Sequence, residues 1–472
     1  MSVTPIMQNA YYAQQNGWDY IKIEGSPEVR GEQHGRLLAY RICECIKQEE
    51  KIMFLQTGMD WAFFKEQAMK LWGNLADDPK KAHYHEYFRE MKGIAKGVQE
   101  MCPDCGIDWL DILTWNACEE LVDYWFPTQA HAVYQQLGNM PTAMSGKHFT
   151  VGSPDRCSAF IATGSYTKTG KIVVAHNSFV PFEMASAMNV IIDLTTEKGE
   201  RIVMQAQPGY IHSMSDFYVT SHKLIITETT IGGFNAYNPD GAPEFLRIRR
   251  AAQEAETLDQ FCDLFWEDNT GGYANTWLVG DMLTNQIMQF EAGCKFFNKQ
   301  ILTDGYFVGF NAPQDPRIRN FETTNSGYQD IRRHQGARQV RLPQLMELHK
   351  GKIDDAVAKE ILADHYDVYL QKEDHPCSRT VCSHYELDAR EYMSQPGRPV
   401  PFRPQGAIDG IVTTTEMAES FRMSARFGSS CGRAFDAAAF FQAHPQFAEL
   451  SELIKDRPSQ PWSIFPVASR GE

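Results

Sequence analysis

Cys157 stands in Asp155-Arg156-Cys157-Ser158-Ala159-Phe160, followed by a short strand pattern, a Thr169-Gly170 turn, a second strand pattern at Ile172-Val173-Val174 and then His176-Asn177. No base lies beside this thiol in the intact sequence. If the Arg156-Cys157 peptide bond is broken, Cys157 gains an α-amine of its own, which titrates at about 7.7 to 8.0 and is partly free base at neutral pH. One residue then supplies nucleophile and base for acyl transfer. The same thiol can make the break, attacking the Arg156 carbonyl to give a thioester that water hydrolyses. The tetrahedral oxyanion needs a donor, worth about 2.7 to 4 kcal/mol of barrier. Asn275, in Gly271-Gly272-Tyr273-Ala274-Asn275-Thr276-Trp277, offers an amide at a strand start where glycines allow close backbone approach. Plainer readings exist: an isolated cysteine is commonly a small buried hydrophobe, and His176-Asn177 and Asn275 are ordinary turn formers.

Other reactive side chains carry weaker signals. Eleven cysteines, an odd number without a regular framework, fit reduced thiols better than disulfides. Cys102-Pro103-Asp104-Cys105 is a lone CxxC with no second CxxC or histidine pair at zinc spacing, and it reads as a helix-ending turn with two small buried side chains. His212, His222, His375 and His384 lie near acidic or polar residues without metal spacing and read as structural. No metal or cofactor is expected.

The elements that must position Cys157 follow from periodicity. Ser26-Pro27-Glu28 is a helix start. Behind it, Leu38, Ile42, Cys45 and Ile46 share one helical face, as do Tyr84, Tyr87, Phe88, Met91 and Val98, and then Leu110, Leu113, Ala117, Leu121 and Tyr124. The first third therefore reads as helical. Residues 127 to 156, with Pro127, Gly138, Pro141, Gly146, Gly152 and Pro154, read as an irregular connector and the natural place for an exposed scissile bond. From Cys157 the pattern turns to strands: Ser158 to Thr163, Lys171 to Ala175, Met188 to Leu194, Arg201 to Ala206 and Lys223 to Thr230. Helices are expected over 243 to 267, with Thr257 capping the second segment. Strands follow at Thr276 to Met282 and Gln286 to Glu291, helices at Gln335 to His349 and Ile353 to His365, and a loop-rich stretch from Pro396 to Phe435. Strand runs flanked by helix runs make an α+β fold of stacked layers.

Composition bounds the class. The 472 residues are 43% hydrophobic and 22% charged, as in globular proteins, and the net charge of -15 argues against a nucleic-acid partner. No run reaches the roughly 18 apolar residues of a membrane span. The amino terminus lacks a charged n-region and apolar core, so the expected location is cytoplasmic.

Several ordered motifs resemble the phospholipase B-like family, relatives of the penicillin acyltransferases and bile-salt hydrolases in the N-terminal nucleophile hydrolase superfamily. They are Cys157-Ser158, His176-Asn177, Gln207-Pro208-Gly209-Tyr210, Ser215-Asp216-Phe217-Tyr218, the stretch Leu224 to Gly232, Tyr273-Ala274-Asn275-Thr276-Trp277, Tyr306 to Pro313, and Arg403 to Asp409. The resemblance runs from about residue 25 to the end. It implies an αββα sandwich with a helical N-terminal region, Asn275 at the oxyanion position, and His176, Asn177 and Thr229 around the nucleophile. Residues 1–156 become a helical segment released as an associated chain, and 157–472 the catalytic region. Bile-salt hydrolases place an aspartate two residues beyond the position of Asn177 to hold the α-amine; here Phe179 stands there, as an aromatic does in phospholipase B-like proteins. Lys295 and Arg338 are candidate anchors for an anionic substrate group.

The expected function is a self-processing thiol hydrolase that cleaves an amide or ester of an acylated small molecule or lipid through a thioester on Cys157. The amide is preferred. Alternatives are an acyltransferase with the same nucleophile, a phospholipase B-type lipid deacylase, or an unprocessed, non-catalytic scaffold. Oligomeric state is not readable.

Overall fold

The computed structural model describes residues 7–136, 156–185, 187–324, 327–388 and 404–467. It opens with a hairpin of β1 (Tyr11–Gln15) and β2 (Trp18–Gly25). The turn residues Asn16 and Gly17 both have positive φ, 46° and 85°, as a two-residue hairpin turn requires. This hairpin corrects the reading of the first third as helical throughout. The helix Pro27–Thr57 then starts where expected, with the Ser26 hydroxyl accepting from the Val29 N–H at 3.4 Å. It packs against the helix His85–Met101. A Cβ added at Gly31 or Gly35 would collide with the Glu90 or Ile94 carbonyl of that partner, so these glycines allow backbone-to-backbone contact. Arg30 and Arg249 both close on the buried Glu90 carboxylate, at 2.6 Å and 3.1 Å. Helices Trp61–Trp72, Trp109–Asn116 and Phe126–Gln136 complete this region.

Next come β3 (Cys157–Thr163), β4 (Val173–Pro181), β5 (Val190–Thr196), β6 (Arg201–Ala206), β7 (Tyr218–Thr220) and β8 (Leu224–Thr230). Helices Glu244–Glu254 and Leu258–Trp266 follow, the second capped by Thr257. The chain continues with β9 (Asn275–Asp281), β10 (Gln286–Ala292), β11 (Phe297–Leu302) and β12 (Gly305–Gly309), then helices His334–Leu348 and Asp355–Leu362. It closes with β13 (Gln405–Ala407), β14 (Asp409–Thr414), β15 (Met423–Phe427) and β16 (Ser463–Phe465).

One sheet runs β1-β2-β5-β6-β7-β8-β9-β10-β11, antiparallel except for the parallel pair β2-β5; the other runs β12-β3-β4-β14-β15-β16, with β13 on the end of β4. Alternate side chains of each strand enter different cores. Ile161, Val174, Ile191 and Leu278 fill the space between the sheets. Ile192, Met204 and Trp277 face the amino-terminal helices with Ile42 and Met91, while Phe160, Val173 and Val412 face Leu342 and Ile361. The layers are therefore helix, sheet, sheet, helix, the expected α+β architecture.

Residues 1–156 and 157–472 share one sheet, because β2 pairs with β5 from Asp19↔Val190 to Gly25↔Thr196. The supposed connector is helical up to Gln136, and its remainder, 137–155, lies outside the described residues. The stretch 396–435 is less loop-like than expected, since β13, β14 and β15 fall within it. Cys43 and Cys105 form a disulfide and Cys102 lies against the same sulfur, which corrects the reading of wholly reduced thiols. Sequence spacing conceals this because Cys43 arrives from another helix.

Candidate active site

Cys157 is the first residue of β3 and pairs with Ser178 of β4. Far from exposed, the Arg156-Cys157 bond is enclosed: the two residues are 4% and 2% accessible. Arg156 is drawn inward by Glu119 and by Asp123, the latter at 2.5 Å. Its carbonyl accepts the Phe179 N–H at 2.5 Å. The Cys157 N–H donates to Asn311 Oδ1 at 3.3 Å. Arg338, wholly buried on the helix His334–Leu348, donates to the Cys157 carbonyl at 2.5 Å, to Ser158 Oγ at 3.2 Å and to Asn311 Oδ1 at 2.9 Å. Its guanidinium lies over the Phe179 ring at 4.9 Å. Asn311 is held in turn by donating to the Thr230 carbonyl at 2.7 Å. The Cys157 nitrogen and carbonyl and the Arg156 carbonyl are thus each fixed by a named partner.

The sulfur faces acid. Cys157 Sγ donates to Glu228 Oε1 at 3.7 Å, and the ligating atoms of Cys157, His176 and Glu228 all lie within 4.8 Å of one another. Burial, with the charges of Glu228 and Asp216, pushes the thiol pKa well up, while a hydrogen bond from the Thr230 N–H opposes this. Glu228 is raised to about 8 and Asp216 well above its ordinary value, both chiefly by burial. The two carboxylates oppose each other in this buried site: Glu228 pushes Asp216 further up, while the hydrogen bond from Asp216 partly offsets the rise of Glu228. The Tyr273 hydroxyl donates to Glu228 at 3.5 Å. Asp216, Tyr273 and Asn311 have φ of 50°, 49° and 64°, so three residues around the thiol hold left-handed backbone that costs on the order of 1–3 kcal/mol each outside glycine.

His176 pairs with Ala159 and lies on the Cys157 side of β4. Burial lowers its pKa to about 3, so it is a neutral imidazole, and neither ring nitrogen has a partner. Asn177 turns to the opposite face, where its amide donates to the Leu362 and Val381 carbonyls at 3.1 Å and 3.3 Å. Thr229 packs on Gly309 of the facing sheet. Asn275 opens β9 directly across from Thr230, the residue whose N–H addresses the sulfur. Both of its amide atoms are buried and unpartnered. Lys295 is exposed, with its N–H on Glu322 at 2.7 Å. Arg338 is engaged with the Cys157 carbonyl, Ser158 and Asn311, so it braces the start of β3.

Glu228, Asp216, Tyr273 and Asn311 are the site residues that sequence reading left unassigned. A signal existed for Glu228, the single charge in the strand Leu224–Thr230.

A family model described as Phospholipase B matches residues 34–297, more than half of the chain. The chain belongs to the phospholipase B family. Among its curated relatives, Phospholipase B-like protein C of Dictyostelium discoideum is 23% identical over 358 residues, 66% of this chain and 60% of the relative. Phospholipase B of Crotalus adamanteus is 26% identical over 411 residues, 79% of this chain and 68% of the relative. Phospholipase B-like 1 of Homo sapiens is 26% identical over 182 residues, 33% and 32% of the two chains. The match spans both sides of Cys157 and takes in Asp216, Glu228, Tyr273 and Asn275, whereas Asn311 and Arg338 lie beyond it. No described helix is long and apolar enough to cross a membrane.

Proposed function

We propose that this phospholipase B family member is a self-processing thiol hydrolase that removes an acyl group from a lipid or lipid-like small molecule. The observation that carries the reading is the coincidence at one strand start of a buried thiol 3.7 Å from a carboxylate acceptor and an N–H 3.3 Å from the Asn311 amide oxygen. In the uncut chain the thiol proton passes to Glu228 and Sγ attacks the Arg156 carbonyl. The C–N bond breaks, the nitrogen takes up a proton, and water hydrolyses the thioester to an Arg156 carboxylate. Cys157 is left with a free amine beside Asn311 Oδ1. That side chain takes the place of the aspartate missing at Phe179. Arg156 stays tied to Glu119 and Asp123, and β2 stays paired with β5, so the two pieces remain one body.

In turnover the amine accepts the thiol proton, Sγ takes the acyl carbonyl, and Asn275 with the Thr230 N–H supports the oxyanion. Enclosure of Cys157 in the uncut chain makes that form a precursor. The names of the relatives favour a carboxylic ester, and a thioester route serves an amide equally. Cleaved wild-type protein and Cys157→Ala are to be compared on lysophospholipids, N-acyl amines and N-acyl amino acids, with and without an added amine acceptor. Release of free fatty acid by the wild type alone is expected. Acyl transfer to the amine in preference to water would make it an acyltransferase, and activity in Cys157→Ala would end the proposal.

A further inference from the structure

Outside the Cys157 group, two histidines and two cysteines converge from three separate stretches of chain. His365 follows the helix Asp355–Leu362, Cys382 and His384 lie in the segment leading to β13, and Cys431 lies beyond β15. One ligating atom from each falls within 4.8 Å of all the others. His384 Nε2 is 3.4 Å from Cys382 Sγ and 3.5 Å from Cys431 Sγ. A tetrahedral zinc ion with Zn–S of about 2.3 Å and Zn–N of about 2.0–2.1 Å sets a sulfur-to-nitrogen edge of about 3.5 Å. The donors already stand at the spacing an ion would impose.

The outer contacts agree. His384 Nδ1 meets Glu386 Oε1 at 2.7 Å, and His365 Nδ1 meets Asp374 Oδ1 at 3.2 Å. Histidines that bind metals are held in this way, the second nitrogen on a carboxylate fixing which nitrogen is left to ligate. The remaining nitrogen of His365, Nε2, is buried with no hydrogen-bond partner. Cys382 and His384 are themselves 0% and 2% accessible.

We propose that His365, Cys382, His384 and Cys431 bind one structural zinc ion. Two thiols and two imidazoles in a closed tetrahedron select zinc over oxygen-preferring cations. On binding, the two thiols each lose a proton to solvent, and two thiolates neutralise the dication. Four protein donors fill the tetrahedron and leave no position for water or substrate, which assigns the ion to holding loops, not to chemistry. What it holds is connected to the active site: Tyr385, next to His384, packs on Phe179 with ring centroids 6.2 Å apart, and Phe179 lies under the Arg338 guanidinium that grips the Cys157 carbonyl. Two nearby groups compete poorly for the role. Asp367, beside His375 and Cys377, is already closed by Arg379. In the Cys157, His176 and Glu228 group, neither nitrogen of His176 rests on a carboxylate.

The test is metal content of the full chain purified without chelators and after incubation with zinc sulfate. About one zinc per chain is expected, lost in Cys431→Ser and in His365→Ala and retained in Cys157→Ala. Cobalt substitution should give the intense visible bands of a tetrahedral thiolate site in the wild type and Cys157→Ala alone. Since Cys431 and His365 are partly exposed, their variants should keep a cooperative thermal transition that zinc no longer raises. Metal near zero in reduced wild-type protein, zinc unaffected by the Cys431 and His365 substitutions, or a Cys382–Cys431 disulfide in peptide maps of protein alkylated before unfolding would each overturn the assignment.

Discussion

Replacing Glu228 by Gln sets two effects against each other. The carboxylate oxygen lies 3.7 Å from Cys157 Sγ, and wherever Glu228 has lost its proton a unit charge at that distance raises the cost of forming a thiolate by about 4.5 kcal/mol at an effective dielectric of 20. Removing it should therefore lower the thiol pKa. Removing it also deletes the group that, on the proposed route, takes the proton during attack on Arg156, and a positioned proton acceptor contributes typically about 10²–10⁴-fold. The second effect wins on this account, because at neutral pH a more acidic buried thiol still has to lose its proton to something. Precursor made by in vitro translation can be followed by electrophoresis and intact mass from time zero. The isosteric variant should cleave at least about 100-fold more slowly at pH 7. Asp216→Ala should shift the pH dependence: the hydrogen bond from Asp216 holds Glu228 down against burial, so without it Glu228 ionises at higher pH and cleavage should retreat to more alkaline solution. Cleavage of Glu228→Gln at the wild-type rate, with an unchanged melting temperature, would refute Glu228 as acceptor.

Other outcomes follow from the same contacts. Asn311→Ala removes the acceptor of the Cys157 nitrogen and a partner of Arg338, and kcat per amino-terminal cysteine should fall about 10- to 100-fold, while Asn311→Asp retains more activity. Burial raises Glu49 and Glu228 to about 8 and Glu291 and Asp409 to about 7. The folded chain then binds more protons than the unfolded one above pH 6.5, so stability falls as pH rises toward 8, by up to about 1.4 kcal/mol per unit per carboxyl. The buried neutral His34, His176 and His212, lowered to about 4, 3 and 3, act oppositely as pH falls below 6.5. Because the four carboxyls outweigh the three histidines between about pH 5 and 6.5, thermal melting across pH should give a maximum at about pH 5, with a shallower alkaline limb in Glu228→Gln. Gly35→Val drives a side chain into the Ile94 carbonyl and should cost about 3 kcal/mol or more in denaturant unfolding.

Local signals were readable where one residue type determines one conformation. Ser26 and Thr257 cap the helices they were expected to cap, and β6 spans Arg201–Ala206 as its pattern indicates. The Asn16-Gly17 hairpin escaped notice because β1 is an edge strand, Tyr-Tyr-Ala-Gln-Gln, with little apolar content. β14 escaped because Asp409-Gly410 reads as a turn, yet Asp409 accepts the Ser178 N–H at 2.9 Å and only the tertiary fold supplies that donor. Cys157 was legible as a candidate, since a motif marks it. Its partners were not: Glu228, Asp216, Asn311 and Arg338 come from four distant segments, and no periodicity brings them together. The side-chain directions of Asn177 and Thr229 depended on which face of β4 and β8 each residue occupies, which a one-residue change in register would reverse.

The central claim is that the chain opens between Arg156 and Cys157. Intact mass spectrometry with amino-terminal sequencing of purified, active protein tests it directly. Two associated chains, the larger beginning Cys-Ser-Ala-Phe, are predicted in the wild type, and one uncut chain in Cys157→Ala. An active wild-type protein that remains a single chain, or one whose new amino terminus is any residue other than Cys157, would contradict it.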